Sequence, residues 1–373
     1  MQRRQRIALL LQLLLVLATG LLGIVTNYAT GEGPAPLPLR VLERLSIPLL
    51  VLLLVALLVG HFVAYRLENP VKPPTTWDPA RMPYPGLEAF DEDEAAVFFG
   101  REAQAEEVVR RLNDSASAPA SRFVTIVGAS GSGKSSLAQA GVLPRLRGQR
   151  WLVLPSMIPG TDPIGALAKT IASINGEPAE QTVRRLRRNI AELPALLERS
   201  RRRAGRRFGR TLLVIDQMEE LVTLSGEHDR ELFLRGLWEA VRHDRQFRVL
   251  ATLRVEFLGD LLESAESRLF TQPVAIGALG RDELTEVVEK PADAVGMRFA
   301  PGVVARIVAD TGSGDALPLL AHLLQELYLR VGSGRTVTMD DYLALGGVAG
   351  ALSRHADQVV TELRGDEDPA EIM

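Results

Sequence analysis

Apolar positions along this chain fall into three regimes, and each predicts a different kind of element. In the first, residues 7–25 carry no charge, and residues 45–65 are apolar almost throughout with only His61 ionisable. A helix of about 20 residues spans the hydrocarbon core of a bilayer. The two runs, joined by the Gly/Pro-rich stretch 31–36, therefore predict a transmembrane helical hairpin within residues 1–68. Arg3, Arg4 and Arg6 precede it and Arg66, Lys72 and Arg81 follow it, whereas the connecting loop carries Arg40 and Arg44. That bias places both ends in the cytoplasm, so the pattern predicts a two-pass protein of the cytoplasmic membrane, held by membrane lipid through two spans. A signal peptide followed by a stop-transfer span is the alternative, and it leaves the rest of the chain on the same side.

The second regime is a series of short β-rich runs at 123–127, 151–154, 211–215, 248–253 and 273–276, separated by helical stretches such as 135–146. Strands alternating with helices predict an α/β fold, a parallel sheet with right-handed crossovers. In the third regime, after about residue 280, the strands stop and helical periodicity runs through 282–295, 303–310 and 317–331. The predicted order is a stiff linker at 69–85 (Pro70, Pro73, Pro74, Pro79, Pro83 and Pro85), an α/β domain at 86–280, and a small helical lid at 281–335.

Composition changes this picture little. The net charge of −3 selects no partner, and the absence of cysteine excludes disulfides and thiolate metal sites. The arginine-rich stretch 184–210 contains Phe208 as its one aromatic residue, so it reads as a solvated helical face, and no nucleic-acid partner is expected.

The candidate chemistry lies at the ends of the predicted strands. Gly128-Ala129-Ser130-Gly131-Ser132-Gly133-Lys134-Ser135 follows the first strand and opens a helix, and it matches the phosphate-binding loop G-x-x-x-x-G-K-[ST]. Its glycines reach backbone angles denied to other residues, so successive N–H groups converge on phosphate oxygens. Gly128, Ser130, Gly131, Ser132, Gly133, Lys134, Ser135 and Ser136 are thus candidate nucleotide contacts. Lys134 would reach the outer phosphates, and Ser135 would ligate Mg²⁺. Asp216 closes the strand 211–215 and supplies the second half of the Mg²⁺ site. Glu219 and Glu220 are both candidates to activate the attacking water, with the other one capping the next helix; the pattern prefers Glu220 only slightly. Thr252 and Arg254 end the strand after that, where Arg254 would point at the γ-phosphate. No N-K-x-D guanine motif is present, which favours ATP/ADP over GTP.

Further motifs follow the same order along the chain. Tyr84-Pro85-Gly86-Leu87-Glu88-Ala89-Phe90, Phe98-Phe99-Gly100-Arg101-Glu102, Ala140-Gly141-Val142-Leu143-Pro144, Asp216-Gln217-Met218-Glu219-Glu220-Leu221, Thr252 to Leu258 and Ala316-Leu317-Pro318-Leu319-Leu320 together resemble the novel STAND NTPases of bacteria over residues 84–365. Gly346-Gly347-Val348 and the residues after it resemble the entry to that family's winged-helix domain, which makes 336–373 its beginning, cut short at Met373. The resemblance implies a slow ATPase that acts as a signalling switch. ADP would hold a closed monomer, and ATP, on an unknown trigger, would permit a homo-oligomer, in bacterial defence or stress signalling. It also implies that Gly100 and Arg101 line the adenine side, that Arg254 senses the phosphate, and that Pro318 contacts the base from the lid. The alternative is a membrane-associated AAA-like motor or transporter-coupled ATPase with continuous turnover.

Overall fold

The computed structural model describes residues 76–348 and 350, apart from 115–117, 206–207 and 313–315. The element order begins α1 (Glu102–Asn113), β1 (Phe123–Gly128), α2 (Lys134–Ser136), α3 (Leu143–Arg147), β2 (Trp151–Val153), α4 (Pro163–Asn175), α5 (Ala179–Arg188), α6 (Leu193–Ala204) and β3 (Arg210–Ile215). It continues α7 (Glu220–Thr223), α8 (Glu227–His243), β4 (Phe247–Arg254), α9 (Leu258–Leu262) and β5 (Val274–Ala275). The lid region follows as α10 (Arg281–Ala294), β6 (Arg298–Phe299), α11 (Val303–Thr311), α12 (Leu317–Val331), β7 (Thr336–Val337) and α13 (Met339–Ala344).

Strands β1 to β5 form one parallel sheet in the order β2-β3-β4-β1-β5. The sequences of β1, β3 and β4 are mostly apolar because both faces of these strands are covered. Alternation divides each strand between two cores. Phe123, Val127, Leu213, Ile215, Val249 and Leu253 pack with the helices from α4 to α8. Val124, Ile126, Leu212, Val214 and Leu250 pack with α1 and the helix after the phosphate loop. A third core joins α10, α11, α12 and α13 and takes in Tyr84.

Several expectations change in detail. The helix read over 135–146 contains a wide π turn at Leu137–Val142 between α2 and α3. Pro144 has no N–H and crowds the carbonyl four residues before it, and a widened turn relieves that crowding. The Arg145 guanidinium donates to the Gly141 carbonyl there. Strands also do not stop at 280, since β6 and β7 pair in parallel as a two-stranded ribbon inside the lid core. They are two residues each, too short for a periodicity to register. The end of the expected linker is not extended chain. Tyr84 is buried, and Trp77 packs against the lid core with the Arg81 guanidinium over its ring.

The membrane placement is corrected. Among the described residues no helix is long and apolar enough to cross a membrane. The longest, α8, has 17 residues and carries charges along its length, against the roughly 20 apolar residues that a span requires. The runs 7–25 and 45–65, on which the two-pass reading rested, lie outside the described residues.

Candidate functional site

Ligands of open parallel sheets bind outside the carboxyl ends of the strands, and the chemistry-bearing residues converge there from β1, β3 and β4. Between β1 and α2, Gly131 and Gly133 take φ of 71° and 85°, left-handed angles that glycine alone adopts without strain. The Lys134 ammonium folds back onto its own loop, donating to the carbonyls of Gly128 (3.1 Å) and Ala129 (2.7 Å). Burial holds its pKa below the usual lysine range; the Glu219 carboxylate opposes that shift and the Arg254 guanidinium adds to it. Ser132 Oγ is buried without a hydrogen-bond partner. Ser130 is exposed at the tip of the loop, and the Ser136 hydroxyl accepts the Phe90 N–H at 3.2 Å.

Asp216 is held by three donors. Its Oδ1 accepts from the Ser135 hydroxyl at 2.8 Å, from the Thr252 hydroxyl at 2.5 Å and from the Gln217 N–H at 3.1 Å. Gln217 reaches this position at φ 53°, a left-handed conformation costing a non-glycine residue on the order of 1 kcal/mol. Its N–H is shared with Thr252 Oγ1 at 3.0 Å. Thr252 stood in the sequence only as a strand end; its grip on Asp216 depends on β3 and β4 being neighbours.

The two glutamates separate. Glu219 Oε2 accepts the backbone N–H of Arg254 at 3.3 Å, beside Lys134. Glu220 Oε2 instead accepts the N–H of Gly160, in the loop after β2, at 3.1 Å. Arg254 Nε is buried with no hydrogen-bond partner.

Beside the loop lies a cavity of about 250 Å³, walled by the 84–90 segment, Phe98, Phe99, Val287 and Pro291 as well as Leu317 and Pro318. Pro318 of α12 meets the phosphate loop directly, since a Cβ on Gly131 would lie 2.9 Å from its Cγ. Arg101 also borders this cavity, but its guanidinium is engaged with backbone, donating to Gly277 O (2.6 Å) and Ser132 O (3.2 Å). Burial lowers its pKa. Gly100, at φ 81°, turns against α10, where a Cβ would lie 2.9 Å from Val287 Cγ2.

This donor set fits a nucleoside polyphosphate. Two cations and an orphaned buried hydroxyl surround the loop, and an apolar cavity of base size adjoins it. A magnesium ion fits as well. Ser135 and Asp216 offer two hard oxygens side by side, and Mg²⁺ keeps most of its ligands as water and phosphate.

The sequence model of the Novel STAND NTPase 1 family matches residues 83–371. No curated protein matches. Among solved structures, the Orc1 protein of Aeropyrum pernix, solved in complex with DNA, aligns with 20% identity and a TM-score of 0.48, over 73% of this chain and 69% of that one. A Walker-type ATPase of Pyrococcus abyssi aligns with 16% identity and a TM-score of 0.46, over 74% of this chain and 76% of that one.

Proposed function

The chain belongs to the Novel STAND NTPase 1 family and is an NTP-hydrolysing P-loop enzyme, and on that premise we propose that it works as an ATP-dependent signalling switch. ADP holds the lid closed on the phosphate loop. Exchange for ATP, on an external trigger, opens the lid and exposes a surface through which copies of the chain assemble. Lys134 and the loop N–H groups hold the phosphates, while Ser135 and Asp216 hold Mg²⁺. Arg254 reads the γ-phosphate, and Glu219, on the Arg254 side of the site, orients the attacking water. When bound, the ion would neutralise negative charge on the phosphates.

The observation that carries a switch is the direct contact of the lid with the loop, Pro318 against Gly131. A phosphate that reshapes the loop therefore meets the lid without an intermediary. A decisive two-state switch needs about 5.5 kcal/mol of differential affinity between its states. Charged contacts from Lys134, Arg254 and Asp216 are of a kind to supply it.

The test is the nucleotide carried by the purified protein, together with its steady-state turnover. Retained ADP with slow hydrolysis is expected, and Arg254→Ala keeps the ADP but loses the response to ATP. Nucleotide-free protein with rapid, sustained hydrolysis would overturn the switch in favour of a motor.

A further inference from the structure

Tyr84 lies in a stretch whose prolines suggest a linker, yet only 2% of it is exposed. Its hydroxyl donates to the Val288 carbonyl of α10 at 2.5 Å, and the Ala292 N–H of the same helix interacts with the phenolic oxygen. Between those two backbone groups stands Pro291, inside the helix. A proline there has no N–H to give and pushes on the turn before it. The helix nonetheless runs on without interruption to Ala294, and the Tyr84 hydroxyl is bonded to it within the turn that holds Pro291, so the chain before the α/β domain is fastened to a lid helix.

The next residues are fastened to a second lid helix. Gln325 of α12 donates to the Pro85 carbonyl at 3.2 Å. Gly86 follows at φ 75°, where a Cβ would lie 2.1 Å from Gln325 Oε1. Its left-handed φ favours glycine, and a side chain there would displace the Gln325 amide. Residues 85–90 then form one wall of the cavity beside the phosphate loop. The wall ends at Phe90, whose N–H reaches Ser136, the residue after the loop's terminal serine.

We propose that Tyr84 and Gln325 are positioning residues for the bound nucleotide. They buckle the 85–90 wall to the lid, and this buckle sets how long a nucleotide stays. Wall and lid close the cavity as one piece, so the nucleotide leaves only when the buckle loosens or the whole piece swings away. The inference rests on the nucleotide-binding reading of the cavity.

Stopped-flow release of N-methylanthraniloyl-ADP from the full chain, chased with excess ADP, tests it. Tyr84→Phe keeps the ring and removes the hydroxyl alone. It is expected to release the analogue about tenfold faster, the scale that one buried hydrogen bond carries. Gln325→Ala is expected to accelerate release by a smaller factor. The rate of ATP cleavage in a single turnover should change by a smaller factor than release does in both variants, because neither residue belongs to the phosphate loop or to the Asp216 cluster. Unchanged release in both variants overturns the proposal. So does faster release that comes with an equal loss of cleavage and a lowered unfolding midpoint, which would mark a purely structural role. Wild-type protein that takes up no labelled ADP would instead sink the nucleotide reading itself.

Discussion

Asp216 offers a single carboxylate oxygen to three donors, and Thr252 is the one that the chemistry of phosphate loops does not require. Its hydroxyl fixes the carboxylate from the neighbouring strand while accepting the strained Gln217 N–H. Groups that orient a metal ligand typically contribute roughly 10–100-fold to metal affinity. Thr252→Val should therefore raise the Mg²⁺ concentration for half-maximal hydrolysis by about that factor, with ADP affinity measured in EDTA unchanged. An unaltered Mg²⁺ titration would remove Thr252 from the site. At this scale the sequence was legible where chemistry is local: loop, lysine and serine are adjacent, and Asp216 ends a strand. It was silent where partners are distant. Nothing near Tyr84 points to Val288, 204 residues away. Glu219 and Glu220 are likewise hard to tell apart in sequence, where the slight preference falls on Glu220, and it is their contacts with the Arg254 and Gly160 N–H groups that separate them.

Elements were legible in proportion to their burial. The strands β1, β3 and β4 stand out as apolar runs because they are almost wholly buried, whereas the two-residue strands β6 and β7 carry no pattern to read. The arginine-rich stretch resolves into α5 and α6, where Arg185, Arg187, Arg199, Arg201 and Arg202 each meet a carboxylate. Helix packing itself makes two predictions. Gly236 sits in the middle of α8, where glycine is unfavourable, because a Cβ there would lie 2.6 Å from Ile190 Cγ1. Gly236→Ala should overpack that contact and cost about 1–3 kcal/mol in urea unfolding, against the small gain an alanine brings to an exposed helix. A stabilised variant would show that α8 and Ile190 are not in close contact. In the lid, the Tyr342 hydroxyl donates to Asp310 at 2.7 Å, joining α13 to α11. Burial, and then the Asp310 carboxylate, push its pKa from 10.0 up to about 12. A folded-state pKa above the unfolded one means stability present in full below pH 10 and lost as pH rises through 12. Tyr342→Phe should therefore lose less stability than the wild type between those limits, and parallel alkaline denaturation curves would refute the assignment.

For the whole molecule, the arrangement of cores decides how nucleotide is felt. The sheet cores and the lid core are separate clusters, joined through the irregular residues 276–280, the wall at 85–90 and the contact of Pro318 with the loop. Sequence periodicity could divide strand-rich from helical regions, but it could not show that the chain before the sheet is packed into the lid, since that depends on the Tyr84 hydroxyl meeting the Val288 carbonyl of a distant lid helix. A nucleotide between loop and lid adds contacts to both sides at once. It stabilises the bound state by about 2.7 kcal/mol when present at 100 times its Kd, and that gain is lost if either side unfolds. Without nucleotide the lid should therefore melt before the sheet, giving two calorimetric transitions. Saturating ADP with Mg²⁺ should merge them into one, because neither core can then unfold without forfeiting the ligand. Lys134→Ala should keep two transitions at every ADP concentration, since it removes the phosphate contact and leaves both cores intact. A single transition in nucleotide-free protein would mean that the wall and the Pro318 contact already couple the cores fully. In that case the lid could not move independently of the sheet, and a switch built on its opening would fail.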